Sequence, residues 1–145
     1  MRLLPFMAVA AALLAAAPAA ATDWREISTA TSAAGDSAYY LIDRDSIRRE
    51  GDSAFATLYL IGGSLVLNAD VEFDCASKRL RPTSGWLMEG DGPKETTGME
   101  DWQEGIGGSH AILFDYVCQF DPKAEDAHKS YGAGDPVPTI RALLK

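Results

Sequence analysis

Beyond residue 22, apolar and polar positions alternate with a period of two over the first two-thirds of the chain, the pattern of half-buried strands. Trp24 to Ser28 reads as a short strand, and a turn region of small residues follows through Gly35. Tyr39-Tyr40-Leu41-Ile42 is aromatic and β-branched enough for a second strand, closed by Asp43. Asp43 to Arg49 predicts a helical turn, with acidic residues at its start, basic residues at its end and Gly51 beyond, as the helix dipole favours. Phe55 to Ile61 is the next strand, broken by Gly62-Gly63.

The segment from Asp70 to Arg81 carries the most information. Asp70, Glu72 and Asp74 alternate with Val71, Phe73 and Cys75, so one face is anionic and the other apolar. A two-residue turn at Ala76-Ser77 would set Asp74 opposite Arg79, Phe73 opposite Leu80 and Glu72 opposite Arg81. Opposite charges then meet outside while apolar residues meet inside; a one-residue slip would send the charges into the core. Pro82 cannot donate a ladder hydrogen bond and predicts a bulge or an edge, with a strand resuming at Trp86-Leu87-Met88.

Residues 89 to 108 are rich in glycine and carry Glu89, Asp91, Glu95, Glu100, Asp101 and Glu104, which predicts a long flap with Trp102 as its anchor to the core. From Ser109 to Gln119 the period changes. Ile112 with Tyr116, Leu113 with Val117, and Ala111 with Phe114 and Cys118 fit helical spacing, and Ser109 suits an N-cap. A short buried strand is the alternative to that helix. Past Asp121-Pro122 the chain is polar and interrupted by Gly132, Gly134, Pro136 and Pro138, so residues 121–145 read as a polar tail that covers little of the core.

Composition then narrows the class. The 145 residues are 47% hydrophobic and 23% charged, which suits one globular domain rather than a disordered chain. Thirteen basic residues against 21 acidic ones give a charge of -8, which excludes a generic nucleic-acid binder or a protein held on anionic lipid by bulk charge. Arg2, the wholly apolar run from Leu3 and the ending Ala19-Ala20-Ala21 before Thr22-Asp23 describe a secretory signal peptide over residues 1–21, cleaved after Ala21. The rival, an uncleaved anchor, is disfavoured by an alanine-rich run that includes Pro5 and Pro18. In an oxidising compartment Cys75 and Cys118, an isolated pair, are expected to bond. The alternative is a redox or catalytic thiol, which here lacks a C-x-x-C motif.

Candidate chemistry is sparse. Ser109 adjoins His110, but sequence neighbours seldom form a nucleophile–base pair and no glycine elbow surrounds the serine. His110 and His128 lack zinc-ligand spacing. Asp70, Glu72 and Asp74 are hard oxygen donors that could ligate calcium, although the salt-bridge ladder with Arg79 and Arg81 accounts for the same residues. Lys78, Arg79 and Arg81, with Arg44, Arg48 and Arg49, could dock an acidic partner or form a solvated surface. Tyr39, Tyr40 and Tyr59 could build a recognition surface or fill the inner face. No catalytic, cofactor-binding or metal site is expected.

These elements, in this order, resemble the surface-adhesin protein E family of small exported proteobacterial proteins. The likeness spans about residues 24 to 120. It rests on Tyr39-Tyr40-Leu41-Ile42-Asp43, Ser46-Ile47 and Gly51, Asp74-Cys75 with Arg79-Leu80-Arg81, then Trp102, Gly108-Ser109 and Val117-Cys118. The resemblance implies an α+β fold, an antiparallel sheet of about six strands with a C-terminal helix packed on it, over a domain of residues 22–120. By the same likeness a Cys75–Cys118 disulfide ties the sheet to that helix. The best-known member is a lipid-anchored dimer that binds host vitronectin, laminin and plasminogen. This chain lacks the lipobox cysteine, and no host-binding residue is carried over to it.

The expectation is an exported, non-enzymatic binding protein, periplasmic or extracellular and soluble after cleavage. Its partner would be a protein or other envelope or extracellular macromolecule; neither nucleic acid nor a membrane span is expected, and homodimerisation is open to it. A small-ligand binder or sensor, with an apolar pocket between sheet and helix, is the alternative. A hydrolase built on Ser109, His110 and flap carboxylates is the third reading. The exported product is expected to begin at Thr22; its intact mass checks this, and retention of Met1 would overturn it.

Overall fold

In the computed structural model, which describes residues 22–104 and 108–145, one antiparallel sheet dominates. The signal-peptide assignment lies outside the described residues. In chain order the elements are β1 (Trp24–Thr31), β2 (Ser37–Asp43), a 3₁₀ turn (Arg44–Ser46), β3 (Arg48–Glu50), β4 (Ser53–Gly62), β5 (Leu65–Asp74) and β6 (Arg79–Glu89). There follow β7 (Glu95–Thr97), β8 (Gln103–Glu104), α1 (Gly108–Cys118), β9 (Ser130–Gly132) and α2 (Val137–Leu143). The sheet runs β7-β6-β5-β4-β2-β1-β9, with β3 beside β4 and β8 beside β6. Among the described residues nine strands thus stand where about six are implied, four of them only two or three residues long.

The centre is the β4–β5 hairpin, paired without interruption from Ser53↔Asp74 to Gly62↔Leu65. Its alternation fills both faces. Ala54, Ala56, Leu58, Ala69, Val71 and Phe73 join Leu113, Phe114 and Val117 of α1 in one core, where Phe73 meets Phe114 edge-on at 5.3 Å. On the opposite face, Leu41, Tyr59, Ile61 and Val66 pack with Trp24 and with Val137 and Ile140 of α2. Two apolar clusters on one sheet require two covers, and the two helices supply them.

The β5–β6 hairpin adopts the register that charge and hydrophobicity demand. Asp74 faces Arg79, Phe73 faces Leu80 and Glu72 faces Arg81, with ion pairs of 3.0 and 2.8 Å on the outer face. The turn is longer than two residues, since the ladder stops at Asp74 and Arg79 and Lys78 takes a left-handed φ of 53°. The Ser77 N–H donates to Asp74 at 3.0 Å, and that bond with the Arg79 guanidinium holds the Asp74 carboxyl below its ordinary range. Pro82 sits at a bulge, where Val71 pairs with Pro82 but Asp70 pairs with Ser84. Further on, β6 approaches β5 so closely at Gly85 that a Cβ would lie 2.2 Å from the Asn68 carbonyl oxygen, so glycine is required.

Other expectations are corrected. Asp43 does cap a turn, accepting from the Asp45 N–H at 3.1 Å, but the turn is one of 3₁₀ type and Arg48 already belongs to β3. The helix over residues 109–119 forms as α1, yet Ser109 lies inside it rather than capping it, and Ile112 faces outward at 45% exposure. Trp102 anchors the flap to guanidiniums instead of the core, with Arg81 at 4.4 Å and Arg79 at 5.3 Å from its ring. Residues 121–145 are no loose tail: β9 extends the sheet beside β1, and Val137 and Ile140 of α2 are buried. Arg141 of α2 also bonds Asp91 at 2.9 Å and the Gly90 carbonyl, tying this segment to the flap.

A disulfide joins Cys75, just past β5, to Cys118 at the end of α1, with Cα atoms 5.7 Å apart. Arg49 donates to the Cys75 sulfur at 3.0 Å and to the Cys118 carbonyl at 2.9 Å. The bond closes a loop with a sequence separation of 43, worth roughly 4 kcal/mol of unfolded-state entropy. Urea unfolding with and without reductant is expected to show a loss of about that size; equal midpoints in both states would contradict it.

Candidate functional site

The residues singled out for chemistry are dispersed. Ser109 Oγ accepts from Ser28 Oγ at 2.9 Å, a tie between α1 and β1. His110 lines an apolar groove beside Tyr40 and Leu113 that Glu100 also lines, while the buried Asp126 carboxylate pairs with His128 instead. The calcium-like oxygens are already taken. Asp70 accepts from Thr57 at 2.7 Å and Ser84 at 2.8 Å, while Glu72 and Asp74 pair with Arg81 and Arg79. Among the described residues no three His, Cys, Asp or Glu side chains converge as metal donors would.

Most of the basic residues are occupied: Arg48 lies 4.3 Å over the Phe55 ring, Arg49 donates to the disulfide, and Arg79 and Arg81 each lie between a carboxylate and the Trp102 ring, while Lys78 is exposed in the hairpin turn. The three tyrosines part company, Tyr59 and Tyr39 entering the second core and Tyr40 packing on the first.

A polar cluster missed by the sequence reading centres on Asp126, whose side chain is only 8% exposed. The Tyr116 hydroxyl donates to it at 2.5 Å, the His128 N–H at 2.9 Å, and the His128 imidazole Nδ1 lies 2.8 Å away. Arg44 and Arg25 place their Nε atoms at 3.5 and 3.9 Å. Arg25 also bonds the His128 carbonyl at 3.0 Å, and Arg44 bonds the Pro122 carbonyl at 3.1 Å. Burial alone would raise the Asp126 carboxyl, but the bonds from Tyr116 and His128 bring it net below its ordinary range. Burial and the same carboxylate push the Tyr116 hydroxyl upward.

This cluster floors an open cleft of about 330 Å³ lined by Arg44, Tyr116, Phe120 and His128. An imidazole held by a carboxylate is two-thirds of a hydrolytic triad, yet no serine, threonine or cysteine lines the cleft. Its bonds pin residues 122–128 to β1 and the 3₁₀ turn. The sequence signal was the Asp126-x-His128 spacing, which acquires meaning only once Arg25 and Arg44 arrive from distant positions.

Two further features concern binding. The first is the β1 edge. β9 pairs only with Trp24 and Arg25, so among the described residues no strand lies along the outer side of Ser28 to Thr31. The second is the groove between α1 and the flap, about 170 Å³ in volume and floored by Leu58, Leu60, Leu67 and Ala69. No protein-family model, curated protein or solved structure matches the chain.

Because the Asp126 carboxyl titrates below its unfolded value, its contribution is full above about pH 4 and fades as pH falls through the folded value. Asp126→Asn is expected to cost about 1–3 kcal/mol at neutral pH. Its difference from wild type should shrink below about pH 4. Thermal unfolding across that range checks both; a pH-independent difference would mean that the charge is not what matters.

Proposed function

We propose that the chain is an exported, non-enzymatic binding protein of the bacterial envelope, similar to the surface-adhesin protein E family, that recognises a macromolecular partner along its open β1 edge. The observation that carries this reading is the edge itself. Ser28-Thr29-Ala30-Thr31 contains no charge and no proline, two of the devices by which sheets protect an exposed strand, and the register shift of β1 against β2 falls before it, between Glu26 and Ser28. The other outer strands are covered by very short segments that carry Glu95 or flank Lys129. An extended segment of a partner added at β1 would satisfy main-chain groups that otherwise face water.

Several features support export and the family likeness. The disulfide suits an oxidising compartment, and no helix among the described residues is long and apolar enough to cross a membrane. Five strands of seven to eleven residues, β1, β2, β4, β5 and β6, with α1 packed over them, agree with the family's sheet and helix. The non-enzymatic reading is supported by Ser109 being bonded to Ser28 and by the buried Asp126 carboxylate pairing with His128 rather than His110.

Thr29 and Thr31 are exposed, so lysine at either position should alter stability by less than about 0.5 kcal/mol. Capture of envelope proteins by the oxidised mature domain is expected to be lost with Thr29→Lys/Thr31→Lys. Capture that survives in this variant, at unchanged melting temperature, would remove the edge as the interface.

A further inference from the structure

The two sulfurs of the disulfide sit in unlike electrostatic surroundings, and Arg49 makes the difference. Arg49 belongs to β3, opposite Ala54 of β4. Gly51, at a left-handed φ of 63°, turns β3 into β4, and the Cys75 N–H donates to the Asp52 carbonyl of that turn at 2.9 Å. The turn is thereby fixed beside Cys75. Arg49 Nη1 donates to the Cys75 Sγ at 3.0 Å and to the Cys118 carbonyl at 2.9 Å, while Nη2 donates to the Gly51 carbonyl at 3.2 Å. All three acceptors are uncharged. Its neighbour Arg48 takes Glu50, and among the described residues Arg49 forms no ion pair. The Gly51 carbonyl, in the same turn, keeps the guanidinium beside Cys75 when the sulfur–sulfur bond opens.

Negative charge is therefore favoured on Cys75, where a guanidinium N–H already points at the sulfur. The carboxylate next to it, Asp74, is compensated by Arg79 at 3.0 Å and by the Ser77 N–H at 3.0 Å, and the Asp52 side chain is exposed. Cys118 is the opposite case. It ends α1, where the helix dipole is negative, and the exposed Asp115 stands one turn back on the same helix. Both cysteines are only partly buried, so an external thiol can reach them.

We propose that this bond is an exchange site for an external dithiol, which attacks the Cys118 sulfur and expels Cys75 as a thiolate paired with Arg49. In the first step the attacking thiolate forms a new bond to Cys118 Sγ, the Cys75–Cys118 bond breaks, and its electron pair leaves on Cys75. In the second step the other thiolate of the dithiol attacks the dithiol sulfur of this mixed disulfide and releases Cys118. Both cysteines then take up a proton from those the dithiol has lost; the dithiol is oxidised by two electrons and the pair is reduced by two. The sulfur that leaves faster is the one whose thiolate is more stable, which fixes the order. Closure runs the same path backwards, with the mixed disulfide on Cys118 and Cys75 attacking it. The chain is the substrate of this exchange, which needs no C-x-x-C motif of its own.

The probe is glutathione, added to the oxidised mature domain and quenched early with N-ethylmaleimide; peptide mapping then reads which cysteine carries which group. Glutathione on Cys118 with maleimide on Cys75 is expected to exceed the reverse by about fivefold or more. Arg49→Gln, which removes the charge at an exposed position, should bring the two products toward equality and slow reduction by dithiothreitol about threefold or more. A merely structural Arg49 would do the opposite, since a loosened end of the sheet exposes the bond and speeds its reduction. Glutathione found mainly on Cys75, or equally on both, would overturn the proposal, as would an Arg49→Gln variant with unchanged products or faster reduction. The wild-type distribution needs no variant and decides by itself should Arg49→Gln fail to fold. The β1 edge takes no part in this exchange, and its own test is macromolecular capture by the oxidised domain.

Discussion

A strand pair that is apolar on both sides cannot stand at a surface, and the β4–β5 hairpin is such a pair. Leu58 and Phe73 look one way, Tyr59 and Val66 the other, and all four are buried. Everything else in the molecule answers this demand. α1 closes the first face through Leu113, Phe114 and Val117, and α2 closes part of the second through Val137 and Ile140. Where neither helix reaches, the second face turns acidic and basic in alternation, and Glu72–Arg81 and Asp74–Arg79 take over from packing. Ion pairs on a half-exposed face add little stability; here their larger effect is to fix the register, because a slip would bury charge.

How much of this was legible depended on whether a signal was local. The β5–β6 register was readable because its two faces impose independent conditions that one alignment meets. The helix over residues 109–119 was favoured by spacing, although a short buried strand fitted the same run. The C-terminal segment was readable only in part: Val137, Ile140 and Leu144 have helical spacing, but prolines and glycines crowd the run before them, and their meaning comes from the core of Tyr59 and Ile61 that they join. Trp102 was mistaken for a core anchor for a similar reason. An indole satisfies itself as well on two guanidiniums as among leucines, and sequence does not say which is nearer.

The candidate sites show the same division. Asp126 gathers groups from positions 25, 44, 116 and 128, so no window of the chain contains it. Ser109 and His110, adjacent and conspicuous, are drawn apart into a tie with β1 and a groove wall. The open β1 edge arises from what β9 fails to cover, a property of strand lengths that composition does not record. The groove between sheet and helix was anticipated in kind, but its flap wall was not, because β7 fell within a stretch that read as structureless.

The disulfide has a consequence for the groove beyond stability. Leu80, Thr97, Glu100, Gln103, His110 and Leu113 all belong to the span between Cys75 and Cys118. Both banks of the channel are therefore arcs of a single covalent ring laid across the sheet like a hasp. Cutting the disulfide would leave α1 and the flap held to the sheet by packing and hydrogen bonds alone.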